Sequence, residues 1–187
     1  MCSRSFRLTC LLLSLFIAGA SAAPLLPRPS PEFAINLPSG GQVLLSQHRG
    51  KVVVMVFVLT TCPHCQTTTV LLSKLQREYG PRGFQVLESA FNDMAGMLVP
   101  EFVSMTGADF PVGASPRETV LQYLGVPDNL RMVVPQMVLI DRNGNIRYQS
   151  PAEGGDKFFD EPVLRSRIEE LLKERAGAAR PASSKRK

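Results

Sequence analysis

"GKVVVMVFVLTTCPHCQTTT", residues 50–69, joins an unbroken apolar run to two cysteines two residues apart. The valine-rich run is too short for a typical helix and fits a central strand covered on both faces. Pro63 suits the first turn of a following helix. Val70, Leu71, Leu72 and Leu75 would give that helix an apolar face, and Gly80-Pro81 would stop it. Cys62 and Cys65 therefore fall where a buried strand ends and a helix begins. Ligand and catalytic sites gather at that end of an open α/β sheet.

Such a pair can be half of a zinc site, a staple, a metal-delivery clip or a redox centre. Structural zinc asks for about four ligands. If an N-terminal signal carrying Cys2 and Cys10 is removed, the mature chain offers, besides the pair, His48 and His64, and a histidine between two cysteines does not easily join them on one metal. A bridge closing so short a loop removes little unfolded-chain entropy, so it makes a poor staple. Two thiolates with Met132 or Met137 would suit Cu(I), which keeps a copper-binding or metallochaperone role as the alternative function. The methionines stand in apolar context, however, and read as core. For redox chemistry the spacing is apt. Unpaired N–H groups and the helix dipole stabilise a thiolate on Cys62, while Cys65 is near enough to attack a mixed disulfide formed there. Pro63 holds the turn, and His64, when protonated, adds positive charge.

The remaining pattern reads as a mixed sheet flanked by helices. Phe33–Leu37 and Gln42–Leu45, split by Pro38-Ser39-Gly40-Gly41, form a hairpin signature. Phe84 to Phe91 is the next strand, and residues 92–107 carry a weaker helical pattern interrupted by Pro100. Residues 110–115 suggest a short strand or loop. Ser115 then stands as helix cap, with Pro116 first and Gly125 at the stop. "MVVPQMVLID", "RNGN" and "IRYQS" give strand, turn and strand. Glu161 to Arg175 is an amphipathic helix with Val163, Leu164, Ile168, Leu171 and Leu172 inward.

The termini divide from this core. Arg4 and Arg7 precede an apolar run from Leu8 to Ala20, and Ala20-Ser21-Ala22 is a small-x-small site. Residues 1–22 thus read as a signal peptide, with an uncleaved anchor as the alternative for so short a run. Cleavage would remove Cys2 and Cys10. Residues 23–32, with Pro24, Pro27, Pro29 and Pro31, read as an extended spacer rather than a folded element. The domain is then 33–176, followed by a basic tail at 177–187. The net charge is +5, but no aromatic residues interleave with the basic tail, which excludes a nucleic-acid reading.

On the quoted stretch, the proline in "VVPQMVLIDRNGNIRY" and the exported N-terminus, the chain resembles the thioredoxin superfamily. Within it, the chain is similar to the extracytoplasmic TlpA/ResA-like thiol–disulfide oxidoreductases. The resemblance spans roughly Phe33 to Arg175, including a segment inserted after the second core strand. It implies a thioredoxin fold, Cys62 as exposed nucleophile and Cys65 as buried resolving thiol. It further implies Pro135 as a cis-proline facing the pair, with Val134 offering backbone hydrogen bonds to a substrate chain. The implied partners are cysteine-containing clients and a redox partner protein, with no cofactor, no metal, and membrane proximity only through the N-terminus. Three departures stand out. Thr61 replaces the tryptophan usual before the first cysteine, Val56 the usual buried aspartate, and Thr68 a glutamate some relatives carry. The proton acceptor for Cys65 is thus missing or supplied elsewhere, with Glu88 and Asp93 after the neighbouring strand as candidates. Cys-Pro-His-Cys is the motif of DsbA-like oxidants, whereas this branch is mostly reducing, so the direction of electron flow stays open.

Overall fold

In the computed structural model, which describes residues 24–155 and 157–174, the run Val52–Val58 forms strand β4, and all seven of its residues are buried. Side chains alternate along a strand, so this run feeds two cores at once. Val52, Val54, Val56 and Val58 face one core, and Val53, Met55 and Phe57 face the other. Each fully buried apolar side chain contributes about 1.5–3 kcal/mol, which makes β4 the element most heavily committed to the fold.

Around β4 the sheet grows in both directions. The strands are β1 (Arg28–Pro29), β2 (Ala34–Asn36), β3 (Gln42–Leu44), β5 (Phe84–Ala90), β6 (Val112–Ala114), β7 (Gln136–Ile140) and β8 (Asn145–Gln149). Their order is β1-β8-β7-β4-β5-β6-β2-β3. β4 runs parallel to β5 and antiparallel to β7, and β5 runs parallel to β6. Helices α1 (Pro63–Tyr79), α2 (Ala95–Thr106) and α4 (Glu161–Lys173) cover one face, and α3 (Arg117–Leu124) covers the other. Under α3, Phe33, Phe57 and Tyr123 pack edge to face or tilted, with centroids 5.0–5.5 Å apart. This is the mixed, helix-flanked sheet expected, with the hairpin β2–β3 at its edge and α2 as the helical insertion after the second core strand.

Gly113 shows why β2 can reach that edge. A Cβ at this position would run into the Asn36 carbonyl and the Ile35 side chain. β6 therefore carries glycine where β2 crosses it closely.

Four readings change. The proline-rich stretch is extended but joins the fold: Arg28 and Pro29 pair with Ile146 and Asn145 of β8. Arg28 also donates hydrogen bonds to the Tyr123 carbonyl and the Gln149 side chain. A proline donates no N–H, so an edge strand is where it can sit. Ser115 does not cap α3, whose preceding residue is Pro116. Its hydroxyl instead donates to the Ala34 carbonyl and accepts from Ser89, tying β2 to the end of β5 and β6. Val70 is 53% exposed rather than part of the α1 apolar face, because the buried stripe runs through Thr69, Leu72 and Leu75. Pro100 lies within a continuous α2. Both Pro100 and Gly96, whose carbonyl loses its partner, are exposed, so solvent satisfies the freed group.

The expected signal peptide and basic tail lie outside the described residues. No helix among the described residues is long and apolar enough to cross a membrane.

Candidate active site

β4 ends at Val58, and four residues later Cys62 caps α1, with Pro63 in its first turn. The connecting loop is held by side chains. Asn92 Oδ1, after β5, accepts from the Thr60 backbone N–H at 2.9 Å and from the Thr60 hydroxyl at 3.3 Å. Gln66 Nε2, on α1, donates to the Thr60 carbonyl at 3.1 Å. Cys62 N–H donates to the Leu59 carbonyl at 3.1 Å. The approach to the pair is therefore fixed from both flanking elements.

The two cysteines differ in setting. Cys62 is half-buried, and Cys65 is fully buried in the core under α1. Burial pushes the Cys65 thiol well above the ordinary thiol range. A backbone hydrogen bond from Leu59 opposes the shift, and the nearby Cys62 and Glu88 charges add to it. One sulfur is reachable and the other is sheltered, the asymmetry that a nucleophile and a resolving thiol require. Among the described residues no three of His, Cys, Asp or Glu group as a metal site. Met137 is fully buried and Met132 half-buried, each packed into a core.

β7 brings a second segment to the same end of the sheet. Gln136 pairs with Phe57, so Pro135 precedes the strand beside the C-terminal end of β4. The Val134–Pro135 bond is cis. Val134 takes no backbone hydrogen-bond partner among the described residues. Between this loop and α1 lies a groove of about 410 Å³, lined by His64, Thr68, Val134, Pro135, Pro151 and Phe159 among others. His64, exposed on α1 between the two cysteines, lines this groove with Val134 and Pro135. Val134 shares a core cluster with Cys62 and Cys65, while Pro63 lies between the pair on α1 outside the groove lining.

Sequence reasoning missed the residue that holds this loop. Gln136 is 1% exposed. Its Nε2 donates to the Val133 and Pro151 carbonyls at 2.8 and 3.2 Å, and its Oε1 accepts from Ser150 Oγ at 2.8 Å. Ser150 Oγ in turn accepts from Met137 N–H at 2.9 Å. The one signal was a glutamine opening an otherwise apolar strand, since a buried amide needs partners.

The two acids weighed beside the pair separate. Asp93 is exposed. Glu88 is fully buried, on the α1 face of β5, in register with Val56 on β4. Its Oε1 lies 2.8 Å from Thr69 Oγ1, and burial raises its carboxyl to about 8 against that hydrogen bond.

Residues 28–167 match the Redoxin family. The thiol-disulfide oxidoreductase ResA of Geobacillus thermodenitrificans is 26% identical over 118 residues, 63% of this chain and 64% of that protein. The chain thus spans a little under two thirds of that relative's length. A Chlorobium tepidum structure, proposed to be the thiol:disulfide interchange protein DsbE, superposes with a TM-score of 0.66 at 27% identity. The match covers 78% of this chain and 96% of that one. A second Chlorobium tepidum structure, a thiol:disulfide interchange protein of the thioredoxin family, gives 0.65 at 21% identity, covering 80% and 99%. The sheet and its helices are those of a thioredoxin-like fold.

Proposed function

The chain belongs to the Redoxin family, and on that footing we propose that it is an exported protein thiol–disulfide oxidoreductase working through Cys62 and Cys65. The observation that carries the reading is the unequal burial of two thiols at the start of α1, beside the groove under Val134–Pro135. ResA of Geobacillus thermodenitrificans and the Chlorobium tepidum structure at 27% identity, both named for the same chemistry, support it.

A client disulfide is attacked by the Cys62 thiolate. A Cys62–client bond forms, the client's own S–S bond breaks, and its second sulfur leaves as a thiolate. Cys65 then attacks Cys62 Sγ, the internal disulfide closes, and the client departs with two more electrons. Run backwards, the same steps donate the disulfide to a client dithiol. A redox partner protein resets the pair, and the pair's potential against that partner sets the direction. The client strand lies along Val134, bonding to its backbone, with its side chains in the groove. Residues 1–22 direct the protein out of the cytosol, where a disulfide persists.

Trapping tests the roles. Cys65→Ser leaves the mixed disulfide unresolved and should accumulate clients covalently, whereas Cys62→Ser should hold none. Equal trapping by both variants contradicts the assignment.

A further inference from the structure

Beneath the pair lies an acid that the steps above leave unused. Cys65 and Thr69 are four residues apart on α1, one turn along the face that meets the sheet, about 5.4 Å along the axis. Thr69 Oγ1 stands 3.0 Å from the Cys65 carbonyl oxygen and 2.8 Å from Glu88 Oε1. A hydroxyl carries one proton, and a carbonyl only accepts. The hydroxyl therefore donates to Glu88 when that group is a carboxylate, and donates to the carbonyl while accepting from Glu88 when the carboxyl is protonated. Glu88 Oε2 has no hydrogen-bond partner among the described residues. A fully buried carboxyl with an unsatisfied oxygen is costly and calls for a reason beyond packing.

Its surroundings leave little else for it to serve. From β4 it faces Val56, and from β6 Val112, both apolar. The core on that side of the sheet, which includes Ala95, Val99 and Phe102 of α2 and Leu164, Ile168 and Leu171 of α4, is apolar, and the only charged residue of α2, Glu101, is exposed. On α1 the charged residues Lys74, Arg77 and Glu78 are exposed, as is His64. The titratable group it acts on is Cys65. Glu88 is close enough for its charge to disfavour a Cys65 thiolate.

We infer that Glu88 is the proton partner of Cys65, protonating Cys65 Sγ when that sulfur leaves and taking the proton back when it attacks. The inference rests on the oxidoreductase reading above. In disulfide donation, a client thiolate bonds to Cys62 Sγ, the Cys62–Cys65 bond breaks, and Cys65 takes the electron pair. The Glu88 proton then moves to Cys65, leaving a carboxylate. In the reverse step the carboxylate removes the Cys65 proton as that sulfur bonds to Cys62. The carboxyl stands at the register of Val56 one strand over, with Thr69 holding it in place.

The test uses the full chain in its oxidised form, reduced by dithiothreitol, with the rate read by quenched-flow alkylation and mass. Rates are divided by the dithiothreitol thiolate fraction at each pH. In the wild type the corrected rate should fall as pH rises through about 8. Glu88→Gln should remove that bend and slow the step about 100-fold below pH 7, the low end of what a positioned proton donor supplies. Glu88→Asp should restore part of the rate and a bend. Thr69→Val should move the bend while keeping it, so the outcome does not hang on one variant's folding. A Glu88→Gln protein with wild-type rate and wild-type pH profile overturns the inference and leaves the oxidoreductase reading standing. A wild-type chain that forms no internal disulfide overturns both.

Discussion

Val56 on β4 and Glu88 on β5 are register partners in a parallel pair, and both are fully buried on the face under α1. Adjacent strands lie about 4.8 Å apart, and the Glu88 carboxyl meets α1 at Thr69, one turn beyond Cys65. Val56 is apolar, and the buried carboxyl stands beside it on the neighbouring strand.

That acid should leave a mark on stability. Glu88 is raised from 4.5 to about 8 by burial. Between those pH values the folded protein holds a proton that the unfolded chain has released. Stability therefore falls as pH rises across that window, by at most about 1.4 kcal/mol per unit, and levels off above it. The raised Cys65 thiol acts only above pH 9, outside the window. Glu88→Gln should be the more stable protein at pH 8, with the two urea-derived stability curves converging toward pH 4.5. Parallel curves across the window would refute a buried neutral carboxyl.

Gln136 should act on the groove rather than on the thiols. Gln136→Ala strips partners from the Val133 and Pro151 carbonyls and from Ser150. Ser150 is buried and the two carbonyls part-buried, so the loss costs about 1–3 kcal/mol. Client capture by the Cys65→Ser protein should weaken in the Gln136→Ala background, because the Val134–Pro135 loop loses its tether. Urea titration and trapping yield together check this, and unchanged yield would show that the tether does not shape the client site.

Gly113→Ala should damage the edge of the sheet. The new Cβ meets the Asn36 backbone, which cannot swing aside as a side chain would. A cost of about 1–3 kcal/mol follows, concentrated where β2 leaves β6. Amide exchange should speed up at Ala34, Ile35 and Val43 while β4 stays protected. Uniform acceleration throughout the sheet would contradict this local account.

The parts of the fold legible in the sequence were those with one dominant signal. An unbroken valine run, a proline and a glycine around a helix, and a hairpin turn placed β4, α1 and β7–β8 directly. The position of the cysteine pair was legible because the strand before it and the helix after it each carry their own signal. What escaped depended on partners distant in the chain. Ser115 looks like a helix cap until Ala34 and Ser89, brought close by sheet order, claim its hydroxyl. Arg28 and Pro29 look like linker because their partners lie on β8, more than a hundred residues on. Glu88 and Asp93 looked alike from the sequence, but Glu88 lies inside β5, which is covered on both faces, while Asp93 lies past its end in the exposed turn before α2.

The central claim, that Cys62 and Cys65 form a working redox pair, is most directly tested by equilibrating the chain with glutathione buffers of graded ratio and counting free thiols by alkylation and mass. The account predicts a single two-electron transition in which both thiols disappear together, with a midpoint between about −120 and −270 mV. Persistence of both free thiols at every ratio, or independent titration of each cysteine with glutathione, would contradict it.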